Sequence, residues 1–203
     1  MSNKQKGVCI VISAPSGCGK TTVVKELLKK GKLSYSISAT TRVRRKGERN
    51  GKDYFFLREK EFKRDIKNKK FLEWAKVFDY YYGTPRIHVK KLLNQGKDVL
   101  LDIDVQGARK LMKNFQEAIF IFMLPPSMKE LKKRLINRKS DSPKVIEKRF
   151  SIAKQEIQQA SKYDYLVVNK KIKETVQIIE MIIKSEKYKY KRTKEVINVV
   201  YST

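Results

Sequence analysis

Cysteine, histidine and acidic residues are all scarce in this chain of 203 residues. It has two cysteines and one histidine, and 21 acidic residues stand against 48 basic ones. Two cysteines are too few for a disulfide framework, which favours a reducing compartment. No apolar run approaches the length of a membrane span, and residues 2–6 are too polar and too short for a signal peptide. We therefore expect neither a disulfide-stapled secreted domain nor a membrane partner.

The excess of basic residues gives a formal net charge of +27. A charge of this size suggests a polyanionic partner. The basic residues are spread over nearly the whole chain, however, and no basic motif is interleaved with aromatic residues that could stack on bases. Phosphate-rich small substrates explain part of the charge, and a generally lysine-rich composition explains the rest. Specific nucleic-acid binding is not expected.

Residues 14–21, APSGCGKT, have the pattern of a phosphate-binding loop. They follow an apolar run at 8–12 that predicts a buried parallel strand, and they precede apolar residues at helical spacing. In such a loop, backbone N–H groups cradle a polyphosphate at a helix N-terminus. Lys20 would reach the outer phosphates, and the Thr21 hydroxyl could ligate Mg²⁺. Ala14 stands where the pattern has its first glycine, and an ordinary strand–turn–helix is the alternative.

Apolar strands alternate with amphipathic helices, which predicts an α/β domain with a parallel sheet. Further strands are predicted at 99–103, 119–124 and 165–168. Residues 36–88 break the pattern, because short aromatic and β-branched runs are separated there by glycines. We predict a three-layer sandwich around a parallel sheet, formed by residues 1–35 and 89–203, with a small mixed α/β insertion at 36–88.

Arg42 and Arg45 in this insertion are candidate phosphate ligands. They lie in the segment SATTRVRR at 38–45, where hydroxyl groups and arginines are close together. A guanidinium group suits a phosphate because its planar donors bind two oxygens at once. Tyr54 and Tyr82 could add phenolic hydrogen bonds to the same oxygens. Taken alone, the segment also fits a solvated basic loop.

Glu73, Asp102 and Asp104 are carboxylates that are candidates for ligand recognition. Asp102 and Asp104 end a predicted strand, at the edge where open α/β sheets bind ligands, and residues two apart in a strand face the same side. Partly buried carboxylates suit a base with adjacent N–H donors. Guanine has these in its N1–H and 2-amino groups, whereas adenine does not, and Thr84 could donate its hydroxyl to O6. Simple salt bridges to nearby lysines are the alternative for Glu73 and Asp104.

Eight segments together resemble guanylate kinases of the bacterial type, within the P-loop nucleoside monophosphate kinases. They are SAPSGCGKT (13–21), SATTR (38–42), GERNGKDY (47–54), FLEW (71–74), YYGT (81–84), LDIDVQG (101–107), PPS (125–127) and VN (168–169). They run in family order and spacing from residue 7 to about 185, which is far more specific than a lone phosphate loop. The resemblance implies direct in-line transfer of the γ-phosphoryl group of ATP to GMP, and also to dGMP, giving ADP and GDP with Mg²⁺ as cofactor.

The resemblance also implies roles for individual residues. The GMP site would contain Ser38, Arg42, Arg45, Tyr54, Glu73, Tyr82, Gly83, Thr84 and Asp104. The ATP site would contain Ala14, Pro15, Ser16, Gly17, Cys18, Gly19, Lys20, Thr21, Thr22 and Asn169. The metal ion would be held by Thr21 and, through water, by Asp102. Lys170 departs from the family pattern, which commonly has an acid after the asparagine.

Residues 129–149 carry nine basic residues against three acidic ones. Arg134 and Arg138 are four residues apart and therefore share a helix face, whereas Arg149 belongs to the next predicted helix. In guanylate kinases this segment resembles a helical lid, here at about 136–150, that closes over ATP and brings arginines to the transferring phosphate. The implied catalytic residues are Lys20, Arg42, Arg134, Arg138 and Arg149. A solvated basic helix pair is the alternative.

Three other functions compete with a guanylate kinase. They are a different nucleoside monophosphate kinase, a non-catalytic guanylate-kinase-like interaction module and a nucleic-acid-binding ATPase. The carboxylates at 73 and 104 argue against the first, and the complete phosphate loop against the second. We expect a cytoplasmic enzyme, monomeric or homodimeric. The role of the tail at 186–203, the preference between GMP and dGMP, the donor selectivity and any redox regulation through Cys18 are left open.

Overall fold

The computed structural model describes residues 6–77, 79–137, 142–194, 197 and 201, in which strands alternate with helices. The strands are β1 (Cys9–Ser13), β2 (Ser34–Tyr35), β3 (Ala39–Thr40), β4 (Phe55–Phe56), β5 (Phe71–Val77), β6 (Tyr80–Pro85), β7 (Val99–Asp102), β8 (Ile119–Leu124) and β9 (Tyr165–Val168). The α-helices are α1 (Lys20–Lys29), α2 (Glu59–Lys67), α3 (Arg86–Asn94), α4 (Val105–Asn114), α5 (Met128–Asn137), α6 (Pro143–Ile157), α7 (Ile172–Glu186) and α8 (Tyr190–Thr193). None of these helices has the length and apolar character that a bilayer crossing requires.

A five-stranded parallel sheet forms the centre of the molecule. Its strand order is β2-β7-β1-β8-β9, so β1 lies in the middle with β7 and β8 on its two sides. In the register of β1 and β7, Ile12 lies opposite Asp102. The carboxyl ends of these two strands therefore meet at one edge of the sheet, which is where open α/β sheets bind ligands.

Both faces of this sheet are covered by helices. Every residue of β1 is buried, as predicted for a central parallel strand. Ile10 and Ile12 pack on one face with apolar residues of α1 and α7, whereas Cys9 and Val11 pack on the other face with residues of α3 and α4. The core thus has a helix layer, a sheet layer and a second helix layer, and the predicted three-layer α/β fold is confirmed.

A second, mixed sheet lies in the segment predicted as an insertion. Its order is β4-β3-β6-β5, with β3 and β4 parallel and the other neighbouring pairs antiparallel. Its small core centres on Phe62 of α2, which is fully buried and stacks on Phe71 with ring centroids 4.5 Å apart. The Tyr81 ring is also stacked on Phe62, with ring centroids 5.5 Å apart.

The strand β7 is shorter than the sequence predicts. The apolar run predicts a strand to residue 103, whose alternation would place Asp102 and Asp104 on one side. Instead, β7 ends at Asp102, and Asp104 is the N-cap residue of α4. Its Oδ1 accepts a hydrogen bond from the Gly107 N–H at 2.7 Å, which satisfies a donor that the helix itself cannot use. Helix capping rather than strand alternation therefore fixes the Asp104 carboxylate.

We expect Phe62→Ala to lower the free energy of unfolding by about 3–5 kcal/mol, because it removes a fully buried ring and leaves a cavity. Urea denaturation measures the loss. The control is Ile87→Ala, since Ile87 is 73% exposed and its truncation should change stability by less than about 0.5 kcal/mol. Similar effects of the two substitutions would contradict the assignment of Phe62 as the centre of the second core.

Candidate active site

The loop between β1 and α1 depends on two glycines for its shape. Gly17 and Gly19 have φ angles of +90° and +91°, in the left-handed region. A Cβ on Gly19 would lie 2.8 Å from Asn169 Nδ2, and one on Gly17 would lie 2.9 Å from Leu135 Cδ2. Any other residue at either position would therefore be strained and crowded. Ala14 has no such strain, because Lys69 alone among the described non-glycine residues has a positive φ.

The Cys18 carbonyl joins this loop to distant parts of the chain. It accepts hydrogen bonds from Asn169 Nδ2 at 2.7 Å and from an Arg134 guanidinium nitrogen at 3.3 Å. Asn169 is held in turn by the Thr175 hydroxyl, which donates to its Oδ1 at 3.0 Å. Asn169 and Arg134, assigned to the ATP site and the lid from the sequence, thus both lie against the phosphate loop.

The Cys18 side chain is buried under the loop. Its thiol contacts the Met123 carbonyl at 3.5 Å, and burial raises the pKa of Cys18 to about 12. A thiol with so high a pKa is almost entirely protonated at neutral pH and reacts poorly with oxidants. The structure therefore favours a spacer over a redox-sensitive thiol at this position.

Lys20 begins α1, and its ammonium group lies at the carboxyl edge of the sheet. Its Nζ is 2.6 Å from Asp102 Oδ1 and donates to the Ile103 carbonyl at 2.7 Å. The side chains of Lys20 and Asp102 are only 20% and 17% exposed. The ammonium group of Lys20 and the carboxylate of Asp102 therefore neutralise each other where both are largely shielded from water.

The remaining loop residues differ in their access to solvent. Ala14, Pro15, Gly17 and Cys18 are buried, Ser16, Gly19 and Lys20 are partly buried, and Thr21 and Thr22 are exposed in the first turn of α1. This helix has no acidic residue in its first turn. Its N-terminal N–H groups and partial positive charge therefore favour an anion at this place.

Glu73 and Thr84 form a buried polar pair between β5 and β6. The Thr84 hydroxyl donates to Glu73 Oε1 at 2.6 Å, and the two residues are 6% and 1% exposed. The other carboxylate oxygen of Glu73 lies next to Gly107 of α4, where a Cβ would be 2.6 Å from Glu73 Oε2 and 3.1 Å from Asp104 Oδ1. The structure thus brings the carboxylates of Glu73 and Asp104 together around a glycine.

Burial raises the pKa of Glu73 to about 7. The hydrogen bond from Thr84 and the charge of Lys110 act in the opposite direction, while the nearby Asp104 carboxylate raises the pKa further. A carboxyl group with this pKa changes its charge within the neutral range. Hydrogen-bond donors placed beside this carboxyl group favour its ionised form.

Arg42 belongs to a cluster with Tyr54 and Tyr82. Its guanidinium carbon lies 5.5 Å from the Tyr54 ring centroid and 5.9 Å from that of Phe56. The Tyr54 and Tyr82 rings meet edge to face at 6.1 Å. Arg42 is also paired with Glu48, whose Oε1 is 2.7 Å from an Arg42 nitrogen.

Three further predicted GMP-site residues lie on the same sheet or beside it. Ser38 is partly buried, and its carbonyl accepts from the Phe55 N–H at 2.9 Å. The Arg45 side chain is exposed, while its backbone N–H donates to Glu48 Oε2 at 2.8 Å. Gly83 is buried where a Cβ would come within 3.0 Å of both Phe62 and Phe71, so its role in the structure is to allow close packing.

The described part of the predicted lid lies on α5 and α6. Arg134 is partly buried, with its Nε 2.9 Å from Glu130 Oε1 in addition to its contact with the loop. Arg149 is partly buried on α6. Arg138, the third predicted lid arginine, lies outside the described residues.

Sequence reasoning missed two acidic residues of this region. Glu48 lies in the segment GERNGKDY at 47–54, which carries part of the family resemblance. Its pairing with Arg42 was not predicted. Glu156 lies on α6, seven residues after Arg149, and within the described residues its buried Oε2 has no hydrogen-bond partner. Burial raises the pKa of Glu156, while the backbone N–H of Ser16 in the phosphate loop lowers it. The one sequence signal for Glu156 is that it lies seven residues, or two helical turns, after Arg149 and so shares a face of α6 with it.

Residues 6–186 match the family model for guanylate kinase. The guanylate kinase of Caldanaerobacter subterraneus subsp. tengcongensis is 52% identical over 196 residues, which cover 96% of this chain and 95% of that protein. The guanylate kinase of Clostridium tetani is 49% identical over 193 residues, with coverage of 95% and 93%. The crystal structure of guanylate kinase from Anaplasma phagocytophilum matches with a TM-score of 0.78 at 38% identity, covering 93% of this chain and 90% of that one. The resemblance carried by eight short segments is therefore confirmed, and the chain belongs to the guanylate kinase family.

Proposed function

We infer that this chain transfers the γ-phosphoryl group of ATP to GMP and gives ADP and GDP. The observation that supports this most directly is the meeting of Glu73 and Asp104 beside Gly107, close to a complete phosphate loop. We assign dGMP as a second acceptor, because none of the contacts proposed for base and phosphate needs a 2′-hydroxyl. An interaction module without catalysis is not favoured, because the loop keeps its lysine, its threonine and the glycines at 17 and 19.

The base site follows from the chemistry of the buried carboxylates. Guanine offers two adjacent donors, N1–H and the 2-amino group, which the oxygens of Glu73 and Asp104 can accept. We assign the Thr84 hydroxyl to guanine O6, which requires it to turn from Glu73 Oε1, its acceptor in the structure. Adenine has no donor at N1, so it would leave a buried charge unpaired.

The acceptor phosphate is assigned to the second sheet. Arg42, Tyr54 and Tyr82 already form one cluster there. Ser38 precedes β3, and the backbone N–H of Arg45 is bonded to Glu48, which pairs with Arg42. We propose that residues 36–88 act as the GMP-binding unit and that residues 1–35 and 89–203 form the ATP-binding core. The lid at about 136–150 would close over the donor and exclude water, which otherwise competes as acceptor.

Transfer itself needs little covalent help from the protein. In an in-line displacement, negative charge spreads over the oxygens of the transferring group, and fixed positive groups stabilise it. We assign this role to Lys20, the loop N–H groups and the arginines at 42, 134, 138 and 149. The GMP phosphate oxygen is already anionic, so no strong general base is required.

The residues around the loop fit a magnesium ion held mainly by nucleotide phosphates and water. The described residues contain no group of three or more His, Cys, Asp or Glu that could hold a metal by itself. Thr21 offers one exposed hydroxyl, and Asp102 offers one carboxylate at the same edge of the sheet. This sparse set suits Mg²⁺, which usually keeps several waters and binds substrate phosphates. When bound, the ion would neutralise charge on the phosphates of ATP.

With ATP and Mg²⁺, we expect kcat/KM for GMP to exceed that for AMP by ~10⁴-fold or more, because AMP leaves the buried carboxylates without donors. A coupled assay of ADP formation over GMP, AMP, CMP and UMP measures the ratio. Comparable turnover of AMP and GMP would contradict the base assignment.

We expect Lys20→Met to lower kcat by about 10²- to 10³-fold, the loss typical of removing one donor to developing charge. The affinity for GMP should be nearly unchanged, because the acceptor site lies on other elements. Lys25→Met is the matched control, since Lys25 is an exposed lysine on the same helix. A parallel loss of GMP affinity in Lys20→Met, measured by calorimetry, would show that the two sites are not separate.

Guanosine affinity should rise by about tenfold between pH 6 and pH 8, because the ionised fraction of Glu73 rises by that factor across a pKa of about 7. Guanosine is the probe because it has no phosphate that titrates in this range. Calorimetric titrations at several pH values measure the profile. In Glu73→Gln the affinity should be weak and independent of pH.

The raised pKa of Glu73 also makes stability depend on pH, in the direction opposite to guanosine affinity: stability falls as the pH rises. Burial raises the pKa of Glu73 in the folded state above its ordinary value of 4.5. Protonated Glu73 therefore stabilises the fold at low pH, and this contribution is lost as the pH rises through about 7. Glu73→Gln should then have a higher Tm than the unmodified chain at pH 8 and a similar Tm at pH 4. A lower Tm at pH 8 would contradict the burial of an ionised carboxylate here.

A further inference from the structure

We propose that Glu48 is a positioning residue for the acceptor phosphate: it fixes the Arg42 guanidinium so that the remaining N–H groups can bind the phosphate of GMP. The inference rests on the proposed function of the Arg42 cluster. It adds a residue that does not touch substrate but determines how a substrate-binding side chain is presented.

Both oxygens of the Glu48 carboxylate have partners in the structure. Oε1 lies 2.7 Å from an Arg42 terminal nitrogen, and Oε2 accepts the backbone N–H of Arg45 at 2.8 Å. The backbone closes the same segment, because the Glu48 N–H donates to the Arg45 carbonyl at 3.1 Å. Hydrogen bonds to both oxygens and to the backbone of Glu48 therefore hold its carboxylate in one position.

Arg42 keeps donors for a ligand while it is held. A guanidinium group has five N–H donors. Glu48 takes one, the Val43 carbonyl takes another at 2.8 Å, and Tyr82 is also hydrogen-bonded to this side chain, which leaves about two donors. The rings of Tyr54 and Phe56 lie within 6 Å of the guanidinium carbon and limit its rotation. The group is thus oriented by Glu48, the Val43 carbonyl, Tyr82 and two aromatic rings, and its remaining donors can bind a phosphate.

The pair is shielded from solvent enough to hold this geometry. The Arg42 side chain is 10% exposed and that of Glu48 is 21% exposed. Hydrogen bonds from Arg42 and from the Arg45 backbone lower the pKa of Glu48, and the pairing with Glu48 raises that of Arg42. Both groups therefore stay charged through the neutral range. A charge-assisted hydrogen bond of this kind orients a guanidinium more firmly than a neutral one.

The test compares the chain with Glu48→Gln and measures the Kd of GMP and of guanosine by calorimetry. We expect the Kd of GMP to rise by about tenfold, the size of losing one charge-assisted contact that orients the phosphate ligand. The Kd of guanosine should not change, because guanosine lacks the phosphate. The matched control is Glu59→Gln, which breaks the Glu59–Lys63 pair at 2.6 Å on an exposed helix face of the same insertion and should change neither Kd.

Each other outcome overturns the inference in its own way. A tighter Kd for GMP in Glu48→Gln would mean that Glu48 competes with the phosphate for Arg42. An unchanged Kd would mean that the pair plays no part, and an equal loss for guanosine would mean a general loss of structure. If Glu48→Gln does not fold, Glu48→Asp keeps the charge on a shorter arm and should still weaken GMP more than guanosine. Failure of the unmodified chain to bind GMP would instead overturn the proposed function itself.

Discussion

Pairing between a few carboxylates and the cationic side chains Lys20 and Arg42 is the interaction on which this site depends. A chain with a net charge of +27 must gather still more positive charge wherever it binds phosphates. Such a concentration of like charges opposes folding unless nearby acids offset the repulsion. Lys20 beside Asp102 and Arg42 beside Glu48 are the two clearest cases, at 2.6 and 2.7 Å. The few acids of the chain thus determine where its positive charge can be concentrated and held in a fixed orientation.

The fold explains why these pairs form where they do. Parallel pairing of β1 with β7 places Ile12 opposite Asp102, so the loop that follows β1 and the acid that ends β7 share one edge. The helix α4 then carries Asp104 and Gly107 from this edge towards β5 of the second sheet. The unit formed by β7 and α4 therefore connects the edge that holds Lys20 and Asp102 to the place where Glu73 and Asp104 meet. The second sheet needs only its own small core around Phe62 to hold β5 in place.

Local patterns predicted more of this site than long-range contacts did. The loop at 14–21 and Asp102 follow from a short motif and from a strand end, and both lie where the sequence predicts. The predicted strand alternation was wrong at Asp104, because a carboxylate before a helix can cap that helix, and here the strand ends at Asp102. Glu156 was missed because its neighbour Ser16 is distant in the chain. Patterns within one element show such residues only as ordinary polar positions, since their partners are set by how the helices pack.

Under the proposed assignment of Glu73 to the guanine base, the same burial determines both stability and selectivity. An ionised carboxylate in a nearly closed place raises the free energy of the folded chain, and the pKa of about 7 expresses that cost. A ligand with two adjacent N–H donors replaces the lost hydration, whereas one without them leaves the charge unpaired. The same reasoning explains Gly107, because a side chain there would displace the Glu73 oxygen that faces α4. A more exposed acid would stabilise the fold, but it would distinguish guanine from adenine less well, because water could then satisfy it in place of the base.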